Sequence, residues 1–470
     1  MAEKLFGTDG IRDIAGSGYL APEFVLRIGR TIGRLLANEP HLFARGNLRC
    51  GAVPKTVLLA RDTRASGRMI ESALSAGMLC ENVDITCVGV VPTPVCSFLT
   101  KKLNCGVGVM ISASHNPAEY NGIKLFDCEG YKVKDALEER IERIVTDRKA
   151  KFDCNPQTGT LSYNPDALKI YIDETVKAAR KKFNLKGMKI VLDCAFGAVG
   201  EVAPPIFTRL GAEVITINST PDGDSINKDS GALFPQFACQ KLTQEKADIA
   251  FSFDGDGDRI IAIDETGCER DGDYIMAICA EFLKDRGELA ANTVVTTVMS
   301  NIGLELFLRE RGIALVRTKV GDRFVAQEML RLGAVLGGEQ SGHIMFFNDA
   351  PTGDATWTAL NLLHALRERK KSLSKLSRSL TKYPQILLNV SICEKPPLMS
   401  IPEVKSAVQA AEKGLGSDGR AVLRYSGTEP LARVMLEGKS KAKIKRLAEN
   451  IASAIRKNLG PPQADSPRQK

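Results

Sequence analysis

The sequence reads Met110-Ile111-Ser112-Ala113-Ser114-His115-Asn116-Pro117 at the end of an apolar run that begins at Gly106. This run of small and apolar residues predicts a buried strand. Two hydroxyls, an imidazole and an Asn-Pro breaker follow, so the strand stops and presents Ser114 and His115 on a loop. Taken alone, the stretch fits a polar turn at a strand end. Similar strand ends elsewhere in the chain favour a shared site instead.

A loose three-fold repeat surrounds this stretch. Sets of four predicted strands open at Thr56 to Ala60, at Lys189 to Asp193 and at Thr293 to Thr297. Each third strand ends in an unusual polar motif, and these motifs are Ser114-His115, Asp254 to Arg259 and Gly337 to His343. The alternation of strands and helices predicts α/β domains. Because ligands in open α/β sheets bind beyond the carboxyl ends of strands, three equivalent domains would aim these loops into one cleft.

A fourth, smaller unit of alternating strands and helical sequence begins near Tyr383. We therefore predict an α/β fold in which three related α/β domains with mixed sheets and a smaller α+β C-terminal domain surround a central active-site cleft. The predicted segments are domain 1 over 1–160, domain 2 over 161–265, domain 3 over 266–380, domain 4 over 381–460 and a disordered, Pro-rich tail over 461–470.

Composition excludes several protein classes. No stretch reaches the roughly 18 unbroken apolar residues of a membrane helix, and the N-terminus has no signal region, so we expect no membrane partner. None of the 12 cysteines forms a C-x-x-C pair, which favours reduced thiols and a cytoplasmic protein. The net charge of +8 is scattered and only 6% of residues are aromatic, so we expect no nucleic-acid partner. A mild basic excess suits an enzyme that attracts anionic substrates.

The loop Asp254-Gly255-Asp256-Gly257-Asp258-Arg259 predicts a metal site rather than an acidic surface turn, because strongly apolar runs flank it. Glycines let the carboxylates converge. At about 4 Å, each pair of like charges costs about 4 kcal/mol at an effective dielectric constant near 20. Ligands that are all oxygen indicate Mg²⁺ or a similar hard ion. An EF-hand does not fit, because Arg259 stands where that loop requires glycine.

Ser114 has three candidate roles: a phosphoryl-accepting nucleophile, an acyl-transfer nucleophile or a turn serine. The acyl role lacks the G-x-S-x-G elbow. A phosphoserine carries a charge of roughly −1.5 to −2 at neutral pH and needs a neutralising cation. The loop from Asp254 to Arg259, which we call the triple-Asp loop, would supply that cation. A phosphoserine at Ser114 and a metal site at the triple-Asp loop are therefore consistent with each other.

Three further loops offer groups that bind ligands. Arg12 lies in a short polar loop, where it could clamp a phosphate or pair with a nearby Asp. Glu339, Ser341 and His343 offer hydrogen bonds to a hydroxyl-rich ligand. The loop Arg424-Tyr425-Ser426-Gly427-Thr428-Glu429-Pro430 fits a phosphate-binding loop and a helix-initiating turn equally well. Together the loops predict a phosphorylated polyhydroxy substrate.

The chain resembles the α-D-phosphohexomutase superfamily over nearly its whole length, to about residue 460. The motifs that carry the resemblance, in family order, are Phe6-Gly7-Thr8-Asp9-Gly10-Ile11-Arg12, Ser112 to Pro117, Asp254 to Arg259, Gly338 to His343 and Arg424 to Pro430. The sequences of the last two motifs are similar to those of the family branch that acts on glucosamine phosphates. One departure is Asp13, which stands where the family commonly continues with Gly.

The resemblance implies an isomerase that interconverts glucosamine 6-phosphate and glucosamine 1-phosphate, for UDP-N-acetylglucosamine and peptidoglycan synthesis. It implies that phosphorylated Ser114 gives its phosphoryl group to the substrate, and that the 1,6-bisphosphate formed reorients and returns the other phosphate. Glucosamine or glucose 1,6-bisphosphate would act as the activator. The family suggests a homodimer.

The resemblance also assigns the site residues. It implies one Mg²⁺ per subunit, held by the phosphorylated Ser114 with Asp254, Asp256 and Asp258. The catalytic positions are Ser114, His115, Lys124, Arg12, Arg259 and Arg323; the sugar-binding positions are Glu339, Ser341 and His343; and the phosphate-binding positions are Arg424, Ser426, Gly427, Thr428 and Arg433. Lys124 or His115 is expected to transfer protons, and the arginines to stabilise charge.

Three other functions compete with this one. A phosphomannomutase/phosphoglucomutase would act on mannose or glucose phosphates. The loop that contains Glu339, Ser341 and His343, which we call the sugar loop, would distinguish such an enzyme from one that acts on glucosamine phosphates. A non-catalytic phosphosugar-binding protein would lack Ser114 or a metal-binding Asp, and here all are present. The chain would act as a Mg²⁺ phosphatase if water hydrolysed the phosphoserine. Closure by the fourth domain would suppress this hydrolysis.

Overall fold

A computed structural model describes residues 4–45, 53–152, 156–426 and 430–460. Three predictions fall outside these ranges: the disorder of the tail 461–470 and the phosphate-binding roles of Gly427 and Thr428. The chain divides into two compact units. The first comprises Met1–Thr297 and Ile313–Ser379, and the second comprises Val298–Gly312 and Leu380–Lys470.

The first sheet contains the strand that leads to Ser114. Its strands are β1 (Ile11–Ile14), β2 (Thr56–Arg61), β3 (Asp84–Val90), β4 (Val107–Ile111), β5 (Tyr120–Asp127) and β6 (Leu161–Tyr163). Their order is β1-β5-β4-β2-β3-β6. Every residue of β4 is buried, as its apolar run predicts. β6 pairs with β3 and lies just beyond residue 160, so this sheet reaches past the predicted end of domain 1.

Two further sheets of the first unit repeat this plan. The second contains β7 (Lys189–Asp193), β8 (Glu213–Ile217), β9 (Ile249–Phe253), β10 (Ile260–Asp264) and β11 (Glu269–Arg270), and the third contains β12 (Thr293–Thr297), β13 (Ala314–Thr318), β14 (Leu336–Gly338) and β15 (Ile344–Phe346). The sheets share the orders β3-β2-β4-β5, β8-β7-β9-β10 and β13-β12-β14-β15. In each, only the fourth of these strands runs antiparallel to its neighbour. The three-fold repeat predicted from the sequence is confirmed.

The third strand of the last repeat lies later than its apolar residues suggest. The sequence predicts Ala334 to Leu336, whereas β14 runs from Leu336 to Gly338. Gly337 belongs to the strand because it pairs with Val295 of β12, and a Cβ there would lie 2.7 Å from the carbonyl oxygen of Val295. A pattern of apolar side chains cannot reveal a strand residue that has no side chain.

Helices connect these strands. Their bounds are α1 (Pro22–Asn38), α2 (Gly67–Leu79), α3 (Thr93–Lys102), α4 (Asp135–Thr146), α5 (Ala167–Arg180), α6 (Ala203–Arg209), α7 (Gln236–Glu245), α8 (Gly272–Asp285), α9 (Ile302–Glu310), α10 (Asp322–Leu332), α11 (Ala355–Arg369), α12 (Leu373–Ser377), α13 (Pro402–Leu415) and α14 (Lys441–Leu459). α1 begins at Pro22, whose fixed φ suits a first turn, and it buries Val25, Ile28 and Ile32 on one face. Among the described residues, we find no helix with the length and apolar character needed to span a bilayer.

The second unit is a small α+β fold. Its antiparallel strands are β16 (Gln385–Ser391), β17 (Gly419–Tyr425) and β18 (Leu431–Gly438), in the order β16-β18-β17. The helices α13 and α14 cover the sheet through a core that includes Val404, Val434 and Ile451. α9 also belongs to this unit, and the backbone N–H of Ile302 donates to Glu437 Oε1 at 3.0 Å. The predicted smaller C-terminal α+β domain and the α/β class are confirmed.

Candidate active site

The loops that follow β4, β9 and β14 meet in the first unit. Ser114 Oγ donates to Asp254 Oδ2 at 2.6 Å and to Asp258 Oδ1 at 3.3 Å. His343 Nδ1 lies 3.6 Å from Asp258 Oδ1. Equivalent strands of the three sheets therefore place a hydroxyl, a set of carboxylates and an imidazole within contact distance of one another.

The backbone at Ser114 is left-handed and needs support. Its φ is +52°, a conformation that costs a residue with a Cβ about 1–2 kcal/mol. The backbone N–H of Ser114 donates to Ser112 Oγ at 2.9 Å. Arg64 Nη2 donates to the carbonyl oxygens of Ser114 and Asn116, at 2.9 and 2.8 Å. Asn227 Nδ2 donates to the same two oxygens, at 2.9 and 3.1 Å. These donors fix the loop that presents the Ser114 hydroxyl.

The triple-Asp loop is a buried cluster of carboxylates. Ligand oxygens of Asp254, Asp256 and Asp258 all lie within 4.8 Å of one another. Asp254 Oδ1 accepts the backbone N–H groups of Asp258 and Arg259, both at 3.1 Å. Burial, followed by the charges of Asp258 and Asp256, raises the pKa of Asp254 well above its usual value. Asp256 Oδ1 is buried and has no hydrogen-bond partner among the described residues. An all-oxygen set with an unpartnered carboxylate oxygen fits a hard divalent cation.

Lys124 supplies positive charge to this cluster from β5. Its Nζ donates to Asp256 Oδ2 at 2.9 Å and to Asp258 Oδ2 at 3.0 Å, and it lies 3.0 Å from Asp9 Oδ2. Burial alone would lower the pKa of Lys124, but the three carboxylates raise it well above its usual value. Lys124 is therefore an ammonium ion in this arrangement.

Six ionisable side chains, acidic and basic in alternation, form a closed ring, which we call the charge ring. Its members, in order, are Asp258, His343, Asp322, Lys132, Asp9 and Lys124, which returns to Asp258. His343 Nε2 lies 3.4 Å from Asp322 Oδ2, and Lys132 bridges Asp322 and Asp9. Burial acts to lower the pKa of His343, yet the carboxylates of Asp258 and Asp322 raise it. Each acidic residue of the ring thus lies between two basic residues, and each basic residue between two acidic ones.

His115 and Arg12 flank Ser114. His115 Nδ1 lies 3.3 Å from Ser114 Oγ. Burial, then the positive charges of Arg259 and Arg12, lowers the pKa of His115 to about 3, so its imidazole is neutral at pH 7. Arg12 pairs with Asp9, and its Nη1 donates to Asn116 Oδ1 at 3.0 Å. Arg12 thus pairs with a nearby Asp, and its clamping of a phosphate stays a prediction.

Arg259 lies beside the cluster, whereas Arg323 does not contact Ser114. Arg259 Nε lies 3.9 Å from Asp258 Oδ1, and the charges of Asp258 and Asp254 raise its pKa although burial acts to lower it. Arg323 Nη1 donates to Glu138 Oε2 at 2.6 Å and to Asp135 Oδ1 at 3.0 Å, and its Nη2 also bonds Glu138. Arg323 on α10 therefore clamps α4.

The sugar loop divides into fixed and accessible groups. Glu339 Oε1 accepts the backbone N–H of Gly321 at 3.0 Å, which ties this loop to the start of α10. Ser341 is exposed, whereas His343 is buried in the charge ring. Ser341 is thus the sugar-loop side chain that solvent, and therefore a ligand, reaches most freely.

The second unit brings two predicted arginines together. Arg424 on β17 stands opposite Arg433 on β18 in the register of the sheet. Arg433 Nη2 lies 3.4 Å from Ser426 Oγ. Burial, followed by the charge of Arg433, lowers the pKa of Arg424. Like charges on opposite residues of a ladder repel, so this pair favours an anion beside it.

Several residues of the site were not anticipated from the sequence. Thr93 Oγ1 donates to Asp256 Oδ2 at 2.5 Å, and Lys132 belongs to the charge ring. Arg64 lies three residues after the end of β2, so its position beyond a strand end could have indicated a role in the site. Asn227 lies in a long connection between β8 and α7, where neither periodicity nor spacing indicated a role.

Models of one protein family match the chain in four consecutive segments. The family is described as phosphoglucomutase/phosphomannomutase. Its alpha/beta/alpha domain I matches residues 3–152, domain II matches 169–267, domain III matches 271–383 and the C-terminal domain matches 387–454.

Curated relatives match over nearly the full length. A phosphoglucosamine mutase of Desulforamulus reducens is 43% identical over 454 residues, which cover 96% of this chain and 99% of the relative. A phosphoglucosamine mutase of Thermoanaerobacter sp. (strain X514) is 44% identical over 459 residues, which cover 97% and 99%.

Solved structures share the fold. A phosphoglucomutase/phosphomannomutase family protein from Burkholderia thailandensis superposes with a TM-score of 0.79 at 24% identity, over 98% of this chain and 100% of that chain. The N-acetylphosphoglucosamine mutase of Aspergillus fumigatus, solved in complex with GlcNAc-6P and magnesium, gives 0.66 at 18% identity, over 96% and 95%.

Proposed function

The chain belongs to the phosphoglucomutase/phosphomannomutase family, and on that basis we propose that it interconverts glucosamine 6-phosphate and glucosamine 1-phosphate. It is an enzyme of the isomerase class, a phosphohexomutase. The observation that carries the choice of glucosamine is the 43–44% identity, over nearly the whole chain, to relatives named phosphoglucosamine mutase.

Ser114 is the proposed carrier of the phosphoryl group. When a phosphate of the bisphosphate is returned, the Oγ–H bond of Ser114 breaks, an Oγ–P bond forms and the P–O bond to the sugar breaks. The sugar oxygen takes up one proton, in place of the one that Ser114 gives up, and leaves as a hydroxyl. The neutral imidazole of His115, with Nδ1 at 3.3 Å from Oγ, is placed to accept the proton. Lys124 is held as a cation by three carboxylates, so we assign it to charge stabilisation in this arrangement.

Asp254, Asp256 and Asp258 would hold the metal ion. Their buried oxygens fit Mg²⁺, which would neutralise charge on the phosphoryl group and on phosphorylated Ser114. Arg259 lies beside these carboxylates and would support the same charge. Arg323 is bonded to Glu138 of α4, so we assign it to holding predicted domains 1 and 3 together.

The remaining groups would bind the substrate. Glu339 and Ser341 would accept and donate hydrogen bonds to sugar hydroxyls, while His343 serves the charge ring. In the second unit, Arg424, Arg433 and Ser426 offer donors for a phosphate that is not reacting. The proposal also includes the domain boundaries predicted above, a homodimer without a nucleic-acid partner, and a cytoplasmic location. We further propose that the product feeds a pathway to UDP-N-acetylglucosamine and that a hexose 1,6-bisphosphate loads Ser114.

A phosphorus-NMR time course tests the function. Purified protein with Mg²⁺ and a trace of hexose 1,6-bisphosphate receives glucosamine 6-phosphate, and parallel samples receive glucose or mannose 6-phosphate. We expect the fastest conversion with glucosamine phosphate. Faster conversion of glucose or mannose phosphate would move the chain to another branch of the family, and release of inorganic phosphate alone would contradict the mutase reaction. Ser114→Ala should lower turnover about 10³-fold or more, because it removes the nucleophile.

A further inference from the structure

Asn227 bridges the two loops on which the proposed reaction depends. Its Nδ2 donates to the carbonyl oxygens of Ser114 and Asn116, at 2.9 and 3.1 Å. Its Oδ1 accepts the backbone N–H of Gly255, inside the triple-Asp loop, at 2.8 Å. Asn227 is 7% exposed. One amide therefore joins the loop of the first sheet to the loop of the second.

The orientation of this amide is fixed by its partners. A primary amide has two N–H donors and one carbonyl acceptor, and here both ends are used. A flipped amide would place its oxygen against the carbonyl oxygens of Ser114 and Asn116, and its NH₂ against the N–H of Gly255. The approach is close, since a Cβ at Gly255 would lie 2.8 Å from Asn227 Nδ2. Glycine at this position lets the two loops meet.

The Asn227 link differs from the side-chain bonds between these loops that end on a carboxylate. Ser112 Oγ donates to Asp256 Oδ2, and Ser114 Oγ donates to Asp254 Oδ2 and Asp258 Oδ1, all oxygens of the proposed metal site. Those bonds compete with a cation for the carboxylate. Asn227 instead holds backbone groups on both sides, so its bonds persist whether the carboxylates bind a cation or Lys124.

We propose that Asn227 is a positioning residue that holds Ser114 in register with the triple-Asp loop. The inference rests on the proposed function, in which Ser114 Oγ takes and gives a phosphoryl group beside those carboxylates. Phosphoryl transfer demands accurate placement of the attacking oxygen. Loss of Asn227 would free the left-handed Ser114 loop to shift relative to the acidic loop, although Arg64 still holds its carbonyl oxygens.

Steady-state kinetics of Asn227→Ala and Asn227→Asp test the proposal. The Ala variant should lower kcat about 10- to 100-fold with KM for the sugar phosphate within about twofold, because positioning affects the reacting oxygen rather than sugar binding. The Asp variant keeps the acceptor for Gly255 but loses both donors, so its kcat should fall at least as far. Because it is isosteric, it carries the same test if the Ala variant does not fold.

Asn218→Ala is the matched control. Asn218 is also an asparagine with a left-handed backbone, at φ +51° against +61° for Asn227, and its Nδ2 donates to Asp193 Oδ1 at 3.0 Å. It does not bond either loop, so its variant should keep kcat within about twofold of the wild type. A kcat for Asn227→Ala no lower than that of Asn218→Ala, or a change in KM alone, would overturn the proposal.

Mass spectrometry separates this inference from the proposed function. Wild-type protein incubated with a hexose 1,6-bisphosphate should gain one phosphoryl group on Ser114, and Asn227→Ala should gain it about 10-fold or more slowly. Equal rates in the two proteins would overturn the positioning role. A wild-type chain that gains no phosphoryl group on Ser114 would overturn the proposed function itself.

Discussion

A buried pair in the first unit should make stability fall as the pH rises. Tyr171 Oη on α5 donates to Asp354 Oδ2 at 2.6 Å, and Asp354 Oδ1 caps α11 by accepting the backbone N–H of Trp357 at 2.9 Å. Burial raises the pKa of Asp354 from 3.8 to about 6, although both of these hydrogen bonds act to lower it. The folded protein therefore keeps a proton that the unfolded chain has already lost.

The sign and size follow from this shift. The proton on Asp354 stabilises the fold fully below the unfolded pKa of 3.8, and this contribution is lost as the pH rises through about 6. A shift of about two pKa units, at about 1.4 kcal/mol per unit, amounts to about 3 kcal/mol. Asp354→Asn does not titrate, and Asn remains a good helix cap, so the variant isolates the ionisation.

Urea unfolding followed by tryptophan fluorescence measures the effect. Trp357 is the only tryptophan in the sequence and lies in the first turn of α11, so the signal reports on this part of the fold. The free energy of unfolding of the wild type minus that of Asp354→Asn should fall by about 2.5 kcal/mol between about pH 4 and pH 8, because a small part of the full effect is already lost at pH 4. Tyr171→Phe should move this change to higher pH, because it removes a donor that lowers the pKa of Asp354.

A difference between wild type and Asp354→Asn that stays constant over this pH range would refute the reasoning. It would mean that Asp354 ionises in the folded protein as it does in the unfolded chain. A difference that grows in the opposite sense would mean that Tyr171 and the cap outweigh burial.

Three shorter predictions concern the site. Arg64→Ala should lower the free energy of unfolding by about 3–5 kcal/mol, measured by urea titration, because it leaves Asp62 buried without its cation; a loss below about 1 kcal/mol would contradict this. EDTA should abolish turnover and Mg²⁺ restore it, and Asp256→Asn should raise the Mg²⁺ concentration for half-maximal activity about 10-fold or more; activity that is indifferent to EDTA would exclude the metal site. Lys132→Met should destabilise the protein by about 3 kcal/mol and Lys132→Arg by much less, because only the latter keeps a cation beside Asp9; equal losses would show that charge is not the cause.

The parts of the site that the sequence predicted are local in the chain. Asp254, Asp256 and Asp258 stand within a few residues, and Ser114 ends a single apolar run, so spacing alone indicated their chemistry. The three sheets were predictable for the same reason, because strand periodicity is a short-range property. The structure brings these groups together at the strand ends where the pattern placed them.

The rest depends on contacts between distant residues. The family resemblance places Arg323 among the catalytic positions, and its partners Glu138 and Asp135 lie far away in the sequence. Asn227 acts through backbone groups of Ser114 and Gly255, and backbone partners leave no trace in residue type. Such pairings arise only when separate sheets pack together, so a pattern along the chain cannot contain them.

The charge ring constrains the order in which the polypeptide matures during synthesis. Asp9 precedes the first repeat, Lys124 and Lys132 belong to it, Asp258 comes from the second, and Asp322 and His343 come from the third. A nascent chain made from its N-terminus has the complete Ser114 loop well before His343 leaves the ribosome. Until the third repeat docks, the earlier charges stay hydrated, because burying them without their partners costs several kcal/mol each. The reactive centre therefore acquires its native environment only after about three-quarters of the chain, up to His343 of 470 residues, has been translated. A product that terminates earlier holds the nucleophile without the surroundings that activate it.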